Sequence, residues 1–351
     1  MVGRVTIAQV AAEVGVSAMT VSNVLNDRPG ASEETRRRVL EAAGRLGYVV
    51  NSAARSLKNG RTGLVGLITL DLTAQYTLEI IRGVAEELAD DELELLINAS
   101  YHDAEREQDR IRSLSRGQVD GLILVAPVLE PATLDFLRDN RVPCVVIDPR
   151  RIDTPLPRVT VDNYEGMRAG VEHLIALGHT RIAFLRGDDE LQSSELRFRG
   201  YSDALTLAGF QVDERLVKTC SFSYDSGFRT STSLLSENPT AIAAGADLMA
   251  LGAIDAARAA GLDVPRDLSV LGFDDLPQAG QSFPGLTTVR QPLHDMGLRG
   301  ARALLSLLDG QSLVTDDIRL ATSLVIRGST GQAADTDAST NRSTSASHAT
   351  G

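Results

Sequence analysis

The stretch Val5-Thr-Ile-Ala-Gln-Val-Ala-Ala-Glu-Val-Gly-Val-Ser-Ala-Met-Thr-Val-Ser-Asn-Val-Leu-Asn26 decides how the beginning of the chain folds. Thr6, followed three residues later by Gln9, forms a capping box in which each side chain satisfies a free backbone N–H. Gly15 tolerates the left-handed conformation that ends a helix, and Ser17 can cap the next one. The sequence therefore predicts a helix-turn-helix, whose second helix enters the major groove of DNA.

On the second helix, the residues outside the apolar stripe are free to contact DNA. Ala18, Met19 and Asn23 are our candidates for reading base edges, because Asn pairs with adenine and Ala or Met contacts a thymine methyl. Short hydroxyls and helix-end amides suit phosphate contacts, which position a protein without specifying sequence. The remaining DNA-binding candidates of this segment are Thr6, Ser17, Thr20, Ser22, Asn26 and Thr35. Taken singly, each could instead be a cap or turn residue of a small helical domain.

A third helix and a short Ala-rich stretch follow. Ser32 can cap a helix that runs to Leu46, with Gly47 as its stop. Asn51-Ser-Ala-Ala-Arg-Ser-Leu-Lys58 is too short to form a stable isolated helix in water, so we expect it to need DNA or a partner. Paired across a dimer axis, two copies of Leu57 could wedge between base steps in the minor groove. Asn51, Arg55 and Leu57 complete the DNA-binding candidates.

These motifs together resemble a known family. The run from Val5 through Leu57 is similar to the DNA-binding domain and hinge helix of the lactose-repressor/galactose-repressor (LacI/GalR) family, and Asn51-x3-Arg55-Ser56-Leu57 is close to the purine-repressor form. Later motifs extend the resemblance to about residue 327. It implies a transcriptional regulator, most simply a repressor, that binds a near-palindromic double-stranded operator as a homodimer. It also implies a periplasmic-binding-protein-like core whose cleft takes a small-molecule effector, most simply a sugar.

Charge is distributed unevenly along the chain, as expected if only its first part binds DNA. The formal net charge is -12, yet residues 1–61 hold nine Lys and Arg against five Asp and Glu, a net charge of +4 that leaves -16 for the rest. A basic head on an acidic body confines attraction for phosphate to one end. The alternative is a chance fluctuation in a short segment. Two cysteines without metal or disulfide spacing, no signal-peptide core and no membrane-length apolar run favour a cytoplasmic protein without membrane contact.

Residues beyond the head alternate between apolar runs and amphipathic stretches. Leu64–Leu70 is a run typical of strands buried on both faces, and Leu78, Ile81, Val84 and Leu88 have helical spacing. This pattern repeats in two series, which predicts an α/β fold with two lobes built on doubly wound parallel sheets. Ligands of such sheets bind beyond the carboxyl ends of the strands, so the cleft between the lobes is the expected site.

We therefore divide the chain into four parts. Residues 1–49 form the helix-turn-helix domain, 50–61 the hinge helix and linker, 62–328 the core, and 329–351 a disordered tail, whose Ser/Thr/Ala/Gly composition cannot bury enough surface to order itself. The family resemblance implies three crossings between the lobes, near Val161–Asn163, Gln291–Pro292 and Thr322–Ser323. Lobe 1 then comprises about 62–161 and 292–322, and lobe 2 about 162–291, with 323–328 as a closing segment.

The effector candidates follow the predicted strands. Arg197, in Arg197-x2-Gly200, and Asp274, in Gly-Phe-Asp-Asp, match by resemblance the family's most reliable effector-binding positions, and Phe222 matches its aromatic position. Arg donors, carboxylate acceptors and an aromatic face suit a polyol. The full set is Tyr76, Thr77, Asp148, Ser193, Arg197, Phe222, Asp247 and Asp274. Turn carboxylates, a core Phe and a surface ion pair are the alternatives.

Other functions fit the sequence less well. Ala246 stands before Asp247 where many relatives have Asn, which leaves the identity of a sugar open. No common catalytic motif is present, and the five histidines are scattered. We therefore expect a protein that is not an enzyme and that binds no metal ion or cofactor. A co-repressor-dependent, purine-type regulator and an activator remain alternatives. A solute-binding protein would share the two lobes but not the basic head.

Overall fold

The computed structural model describes residues 5–26, 28–48, 61–101, 103–151, 154–313 and 315–333. It separates into two compact units, with the boundary between Thr62 and Gly63. We describe each unit by itself.

The described residues of the first unit contain three helices, and side-chain caps set where they begin. They are α1 (Ile7–Val14), α2 (Ala18–Leu25) and α3 (Glu33–Leu46). The Thr6–Gln9 capping box is present, and Ser17 and Ser32 accept from the backbone N–H of Thr20 and Thr35. Gly15 has a φ of 73°, as the predicted helix stop requires. The expected helix-turn-helix is therefore confirmed.

The small core of this unit comes from one apolar stripe of each helix. Val10, Val21 and Val39 are fully buried at its centre, and Tyr48 packs against the cluster from outside. Within each helix the buried residues recur at helical spacing, which places them on one side of that helix. The opposite faces of the helices remain open to solvent.

Two six-stranded sheets organise the second unit. The first sheet, which defines lobe 1, has the order β11-β5-β4-β3-β1-β2. Its strands are β1 (Leu64–Thr69), β2 (Glu94–Ala99), β3 (Gly121–Val125), β4 (Cys144–Ile147), β5 (Arg158–Val161) and β11 (Asp317–Leu320). All of its pairings are parallel. Consequently the carboxyl ends of β1, β3 and β4 lie at one edge.

The second sheet defines lobe 2 and has the order β12-β10-β9-β8-β6-β7. Its strands are β6 (Ile182–Arg186), β7 (Val217–Thr219), β8 (Ala241–Ala244), β9 (Ser269–Asp274), β10 (Thr287–Arg290) and β12 (Ser323–Val325). All pairings are parallel except that of β12, which runs antiparallel to β10. The α/β fold class with two mainly parallel lobes is therefore confirmed.

Helices cover the faces of both sheets. Lobe 1 carries α4 (Gln75–Ala89), α5 (Ala104–Leu114), α6 (Pro131–Asp139) and α12 (Leu293–Leu308), and lobe 2 carries α7 (Asn163–Ala176), α8 (Gln192–Leu207), α9 (Tyr224–Leu234), α10 (Asp247–Ala259) and the short α11 (Pro277–Gln281). Helices α4 and α12 cross at Gly83 and Gly297, where an added Cβ would lie 2.0 and 2.1 Å from a backbone carbonyl oxygen. Only glycine permits this close approach.

The chain passes between the sheets three times. It leaves lobe 1 after β5 and enters α7, returns between β10 and α12, and leaves again between β11 and β12. Hydrogen bonds brace these segments, because the backbone N–H of Asp162 donates to the carbonyl of Leu320 and that of Gln291 to Asp274. The two lobes thus share a narrow set of connections.

Some expectations about local structure need correction. The short strands β5, β7, β10, β11 and β12 have no counterpart in the predicted pattern, because segments such as Val217-Lys-Thr are too short and too polar to stand out. Helix α8 begins at Gln192, and Leu191 precedes it without any side-chain cap, so no local sequence signal marks its start.

The predicted disordered tail also begins too early. Ser329 is fully buried, and its hydroxyl donates to the carbonyl of Val270 at 2.6 Å. The backbone N–H of Ala333 donates to the carbonyl of Leu177 at 2.8 Å. Hydrogen bonds to lobe 2 rather than apolar burial hold residues 329–333, which composition alone does not reveal. Residues 334–351 lie outside the described residues.

Candidate functional site

The first turn of α2 presents the candidate base-reading residues to solvent. Met19 is 68% exposed, Ala18 is exposed beside it, and Asn23 is partly buried one turn further on. Val21 and Val24 occupy the opposite, buried side of the helix. The arrangement leaves an open face that carries an amide and two apolar groups, which is the chemistry required for contacts with base edges.

The hydroxyl candidates around this face serve as caps. Ser17 Oγ accepts from the backbone N–H of Thr20 at 3.0 Å and lies 2.9 Å from the hydroxyl of Thr20. Thr35 and Ser32 form the same pair at the start of α3. A capping hydroxyl uses its oxygen as an acceptor and keeps a proton that can be donated. Capping and phosphate contact are therefore compatible roles for these groups.

The other DNA-binding candidates have different positions. Ser22 is partly buried on α2, and the Asn26 side chain donates to the Ser22 carbonyl at 2.7 Å, which closes the end of that helix. Asn51, Arg55 and Leu57 lie outside the described residues. Their predicted hinge role remains a prediction.

A cavity of about 400 Å³ lies between the two lobes, at the carboxyl ends of the strands. This volume falls in the range of small-molecule sites. Seven of the eight effector candidates line it, namely Tyr76, Thr77, Asp148, Ser193, Arg197, Phe222 and Asp274. These side chains come from distant parts of the chain. They meet at the carboxyl ends of the strands, where ligands of such sheets bind.

The lobe 1 wall of the cavity is built on β1, β4 and the start of α4. The hydroxyl of Tyr76 donates to Asp148 Oδ2 at 2.8 Å, and the hydroxyls of Thr69 and Thr77 lie 3.3 Å apart. Burial, followed by the charge of Asp148, raises the pKa of Tyr76 well above its usual value. Burial also raises the pKa of Asp148, although Arg197 and the Tyr76 hydrogen bond oppose this. The wall therefore offers a phenol and a carboxylate held in one fixed pair.

The lobe 2 wall is organised around Arg197, in the second turn of α8. Its Nε donates to Asn163 Oδ1 at 2.8 Å, and Nη1 donates to the carbonyl of Gly245 at 2.5 Å. The guanidinium carbon lies 3.9 Å from the centre of the Phe273 ring. These contacts fix the orientation of a side chain that is only 4% exposed. The guanidinium group is therefore held in one orientation at the wall of the cavity.

Asp274 ends β9 and faces this guanidinium. Its Oδ1 lies 3.8 Å from Arg197 Nη1 and accepts from the amide of Gln291 at 2.5 Å. Burial raises the pKa of Asp274 to about 6, while Arg197 and Gln291 act in the opposite direction. Asp148 of lobe 1 raises it further by repulsion. The cavity thus holds two carboxylates from opposite lobes that repel each other and share one nearby cation.

The eighth effector candidate, Asp247, is held by contacts within lobe 2. It is fully buried and is not among the residues that line the cavity. Its Oδ2 accepts from the backbone N–H of Leu276 at 2.7 Å and its Oδ1 from the hydroxyl of Thr288 at 2.5 Å. Because both oxygens have protein partners, Asp247 supports the loop after β9. Its predicted contact with an effector stays a prediction.

Aromatic and apolar groups complete the lining. Phe222 packs over Gly187, where an added Cβ would lie 1.9 Å from the ring, so only glycine allows the ring to sit there. Leu248 and Leu276 of lobe 2 line the cavity and also contact the apolar core of lobe 1. The combination of apolar walls with a few fixed donors and acceptors matches small-molecule sites that recognise hydroxyl groups.

Sequence reasoning missed three charged residues of the lining. They follow the ends of β1, β4 and β6 by two or three residues, and they are Asp71, Arg150 and Asp188 respectively. The strand-end rule that selected Asp148 and Ser193 could therefore have found them. Among the described residues, no group of three or more His, Cys, Asp or Glu side chains is placed to hold a metal ion. None of the described helices is long and apolar enough to cross a membrane.

Comparison with known proteins gives two matching family descriptions. Residues 6–51 match the family described as bacterial regulatory proteins, lacI family, and residues 171–330 match the periplasmic binding protein-like domain. The HTH-type transcriptional regulator RegA of Clostridium saccharobutylicum is 35% identical over 328 residues, which cover 93% of this chain and 99% of the relative. Relatives of this kind are transcriptional regulators, not enzymes.

Solved structures give the same result. The Lac repressor dimer bound to operator and the anti-inducer ONPF has a TM-score of 0.85 and 31% identity, covering 94% of this chain and all of that one. The transcriptional regulator CelR in complex with cellobiose has a TM-score of 0.72 and 32% identity, covering 93% of this chain and all of that one. The similarity therefore extends over both units of the chain.

Proposed function

The chain belongs to the LacI family of bacterial transcriptional regulators, and we propose that it is a repressor whose operator affinity is set by an uncharged sugar bound between the two lobes. The observation that carries this proposal is the cavity, in which Asp148, Arg197 and Asp274 offer fixed acceptors and donors. The CelR structure, which contains cellobiose, supports the same ligand class.

The charges of the lining favour an uncharged ligand over an anionic one. Asp71, Asp148, Asp188 and Asp274 face the cavity together with only two cationic residues of the described chain, Arg150 and Arg197. Arg150 is already paired with Asp188, and Arg197 with Asp274. An additional negative charge would meet the remaining carboxylates at close range and be repelled. Hydroxyl groups, by contrast, can donate to carboxylates and accept from Arg197.

The helix-turn-helix unit would supply operator recognition. In this proposal Ala18, Met19 and Asn23 read base edges, while the hydroxyls of Thr6, Ser17, Thr20, Ser22 and Thr35, with Asn26 nearby, position the unit on phosphates. Asn51, Arg55 and Leu57 keep the minor-groove role predicted from sequence. A protein with this role would act where the chromosome lies, in the cytoplasm.

A homodimer on a near-palindromic operator is the assembly we propose. Strand β2 is an edge of its sheet and carries Leu96 and Ile97 about one-third exposed, with the exposed Leu78 and Tyr101 also belonging to lobe 1. Unpaired edges that bear apolar side chains favour association. The similar Lac repressor structure is a dimer bound to operator, which supports the same assembly here. Sedimentation of the purified chain distinguishes a dimer from a monomer.

Replacing Asn23 tests the base-reading role. We expect Asn23→Ala to relax preference at one base pair per half-site, with a discrimination loss of about 1–3 kcal/mol if the contact is bidentate. A binding-site profile measured by selection from random DNA gives the readout. Asn140→Ala, on the surface of lobe 1, is the matched control. An unchanged profile for Asn23→Ala would reject the assignment.

A titration of DNA from the protein's own upstream region tests the function as a whole. We expect specific, salt-dependent binding that a mono- or disaccharide weakens, which would establish an inducible repressor. A purine or sugar that strengthens binding would instead favour the co-repressor mode. Higher expression of a reporter gene in the presence of the protein would favour an activator. Absence of specific binding and of any sugar effect would overturn the proposal.

A further inference from the structure

Two loops from opposite lobes meet at the edge of the cavity. On lobe 1 the chain leaves β4 through Asp148, Pro149 and Arg150, and on lobe 2 it leaves β6 and enters α8 at Gln192. The backbone N–H of Gln192 donates to the carbonyl of Arg150 at 2.9 Å. The loop that bears Asp148 is thereby tied to the residue that precedes Ser193.

The side chain of Arg150 makes a second connection between the same loops. Its Nη2 donates to Asp188 Oδ2 and to Glu190 Oε2, both at 3.0 Å. The Arg150 side chain is only 10% exposed, whereas those of Asp188 and Glu190 are 44% and 81% exposed. The backbone N–H of Glu190 also donates to Asp188 Oδ1 at 3.0 Å, which holds that carboxylate in place.

This contact joins the lobes without using the segments that connect them covalently. The three connections run through residues near Asp162, Gln291 and Ser323, whereas Arg150, Asp188 and Glu190 belong to loops within one lobe each. The contact can therefore break while the connections remain intact. Arg150 and Asp188 line the cavity, so breaking it would open the cavity wall.

We propose that Arg150 is a positioning residue that latches the lobes together over the cavity and aligns Asp148 with Ser193. An effector that enters or leaves has to separate Arg150 from Asp188 and Glu190. The inference of control over an effector rests on the proposed function of the cavity, but the latch itself is a property of the chain alone. Asp188 contributes more than Glu190, because its charge is less exposed and its carboxylate is already oriented.

Hydrogen exchange on the full-length protein without added sugar tests the latch. We expect Arg150→Gln to raise exchange of the Gln192 amide, and of the loops around residues 148–151 and 188–191, by about threefold or more, as the loss of a partly buried ion pair implies. Arg150→Lys should give an intermediate effect, since one ammonium replaces a planar fork. In the wild type, raising salt should increase the same exchange. In Arg150→Gln it should not.

A matched control and a second route complete the experiment. Arg138 pairs with Asp135 and Asp139 inside lobe 1, so Arg138→Gln should leave exchange at Gln192 unchanged. Should Arg150→Gln fail to fold, Asp188→Asn with Glu190→Gln removes the same contact from the other lobe. If the Gln192 amide exchanged at the wild-type rate in a folded Arg150→Gln variant, or in that double variant, the proposed latch would be overturned. The readout does not involve DNA or sugar, so a failure of the proposed function would leave this result standing.

Discussion

The helix-turn-helix unit and the inter-lobe cavity place their functional groups by opposite means. In the first, pairs three residues apart, such as Ser17 and Thr20, fix where a helix begins and which face it exposes. In the second, partners such as Tyr76 and Asp148 are 72 residues apart and meet only because two strands end at the same edge. The first region should therefore tolerate distant substitutions and respond to local ones. The second should respond to changes in packing far from the cavity.

Glycines inside helices give the largest expected contrast between the regions. An added Cβ at Gly297 would lie 2.1 Å from the carbonyl oxygen of Ile80, whereas nothing lies within 4 Å at Gly44 in α3. We expect Gly297→Ala to destabilise the core by about 3 kcal/mol, because backbone atoms must move apart. Gly44→Ala should stabilise the small unit by about 0.5–1 kcal/mol, since it removes backbone freedom from the unfolded chain. Calorimetric unfolding of both variants measures this, and a stable Gly297→Ala would contradict the packing argument.

The pH dependence of stability should come from the cavity. The pKa of Asp274, about 6 in the folded protein against an ordinary 3.8, means that folding favours the protonated carboxyl. The contribution of Asp274 is fully present below about pH 4 and is lost as the pH rises through about 6. Relative to Asp274→Asn, the wild type should lose about 1–3 kcal/mol of unfolding free energy over this range.

Denaturant titrations at several pH values test this prediction. Asp139→Asn, which changes an exposed carboxylate on the surface of lobe 1, is the control and should leave the pH profile unchanged. A wild type and an Asp274→Asn variant with parallel profiles would show that Asp274 is not the group responsible.

Substitutions of Ser17 separate the two roles given to one hydroxyl. Ser17→Ala should cost the small unit about 1 kcal/mol, because the N–H of Thr20 loses its cap. Ser17→Asp keeps a capping acceptor and should preserve the helix, but its negative charge should weaken operator binding. Circular dichroism and DNA titration read the two effects separately. Wild-type operator affinity in Ser17→Asp would rule out a phosphate contact at this position.

The smallest effect should come from an exposed ion pair within the helix-turn-helix unit. Arg45 Nη2 lies 3.1 Å from Glu13 Oε1, with the two side chains 64% and 47% exposed. Solvent screens such a pair, so Arg45→Gln should change stability by at most about 0.5 kcal/mol. A loss well above this value in thermal unfolding would mean that the pair has a structural role which its exposure does not indicate.

The amino-acid sequence by itself was sufficient for the helix-turn-helix unit. Thr6, Gln9, Gly15 and Ser17 predicted the ends of α1 and the start of α2, because caps and stops act between residues within one turn. The alternation of apolar runs with amphipathic stretches likewise predicted two lobes of βα units. Seven effector candidates followed from their positions after strands and from the family resemblance, and all seven line the cavity.

Only the tertiary structure decided which of several polar residues near strand ends face the cavity. Asp247 looks like Asp274 in the sequence, yet Leu276 and Thr288 occupy both of its oxygens. The partners of Arg150 lie 38 and 40 residues away in the other lobe, so no local pattern pointed to its role. Ser329 resembles the polar tail that follows it but is held by Val270 and Thr287. Local signals act within a helical turn, whereas these roles depend on partners that folding alone brings within hydrogen-bonding distance.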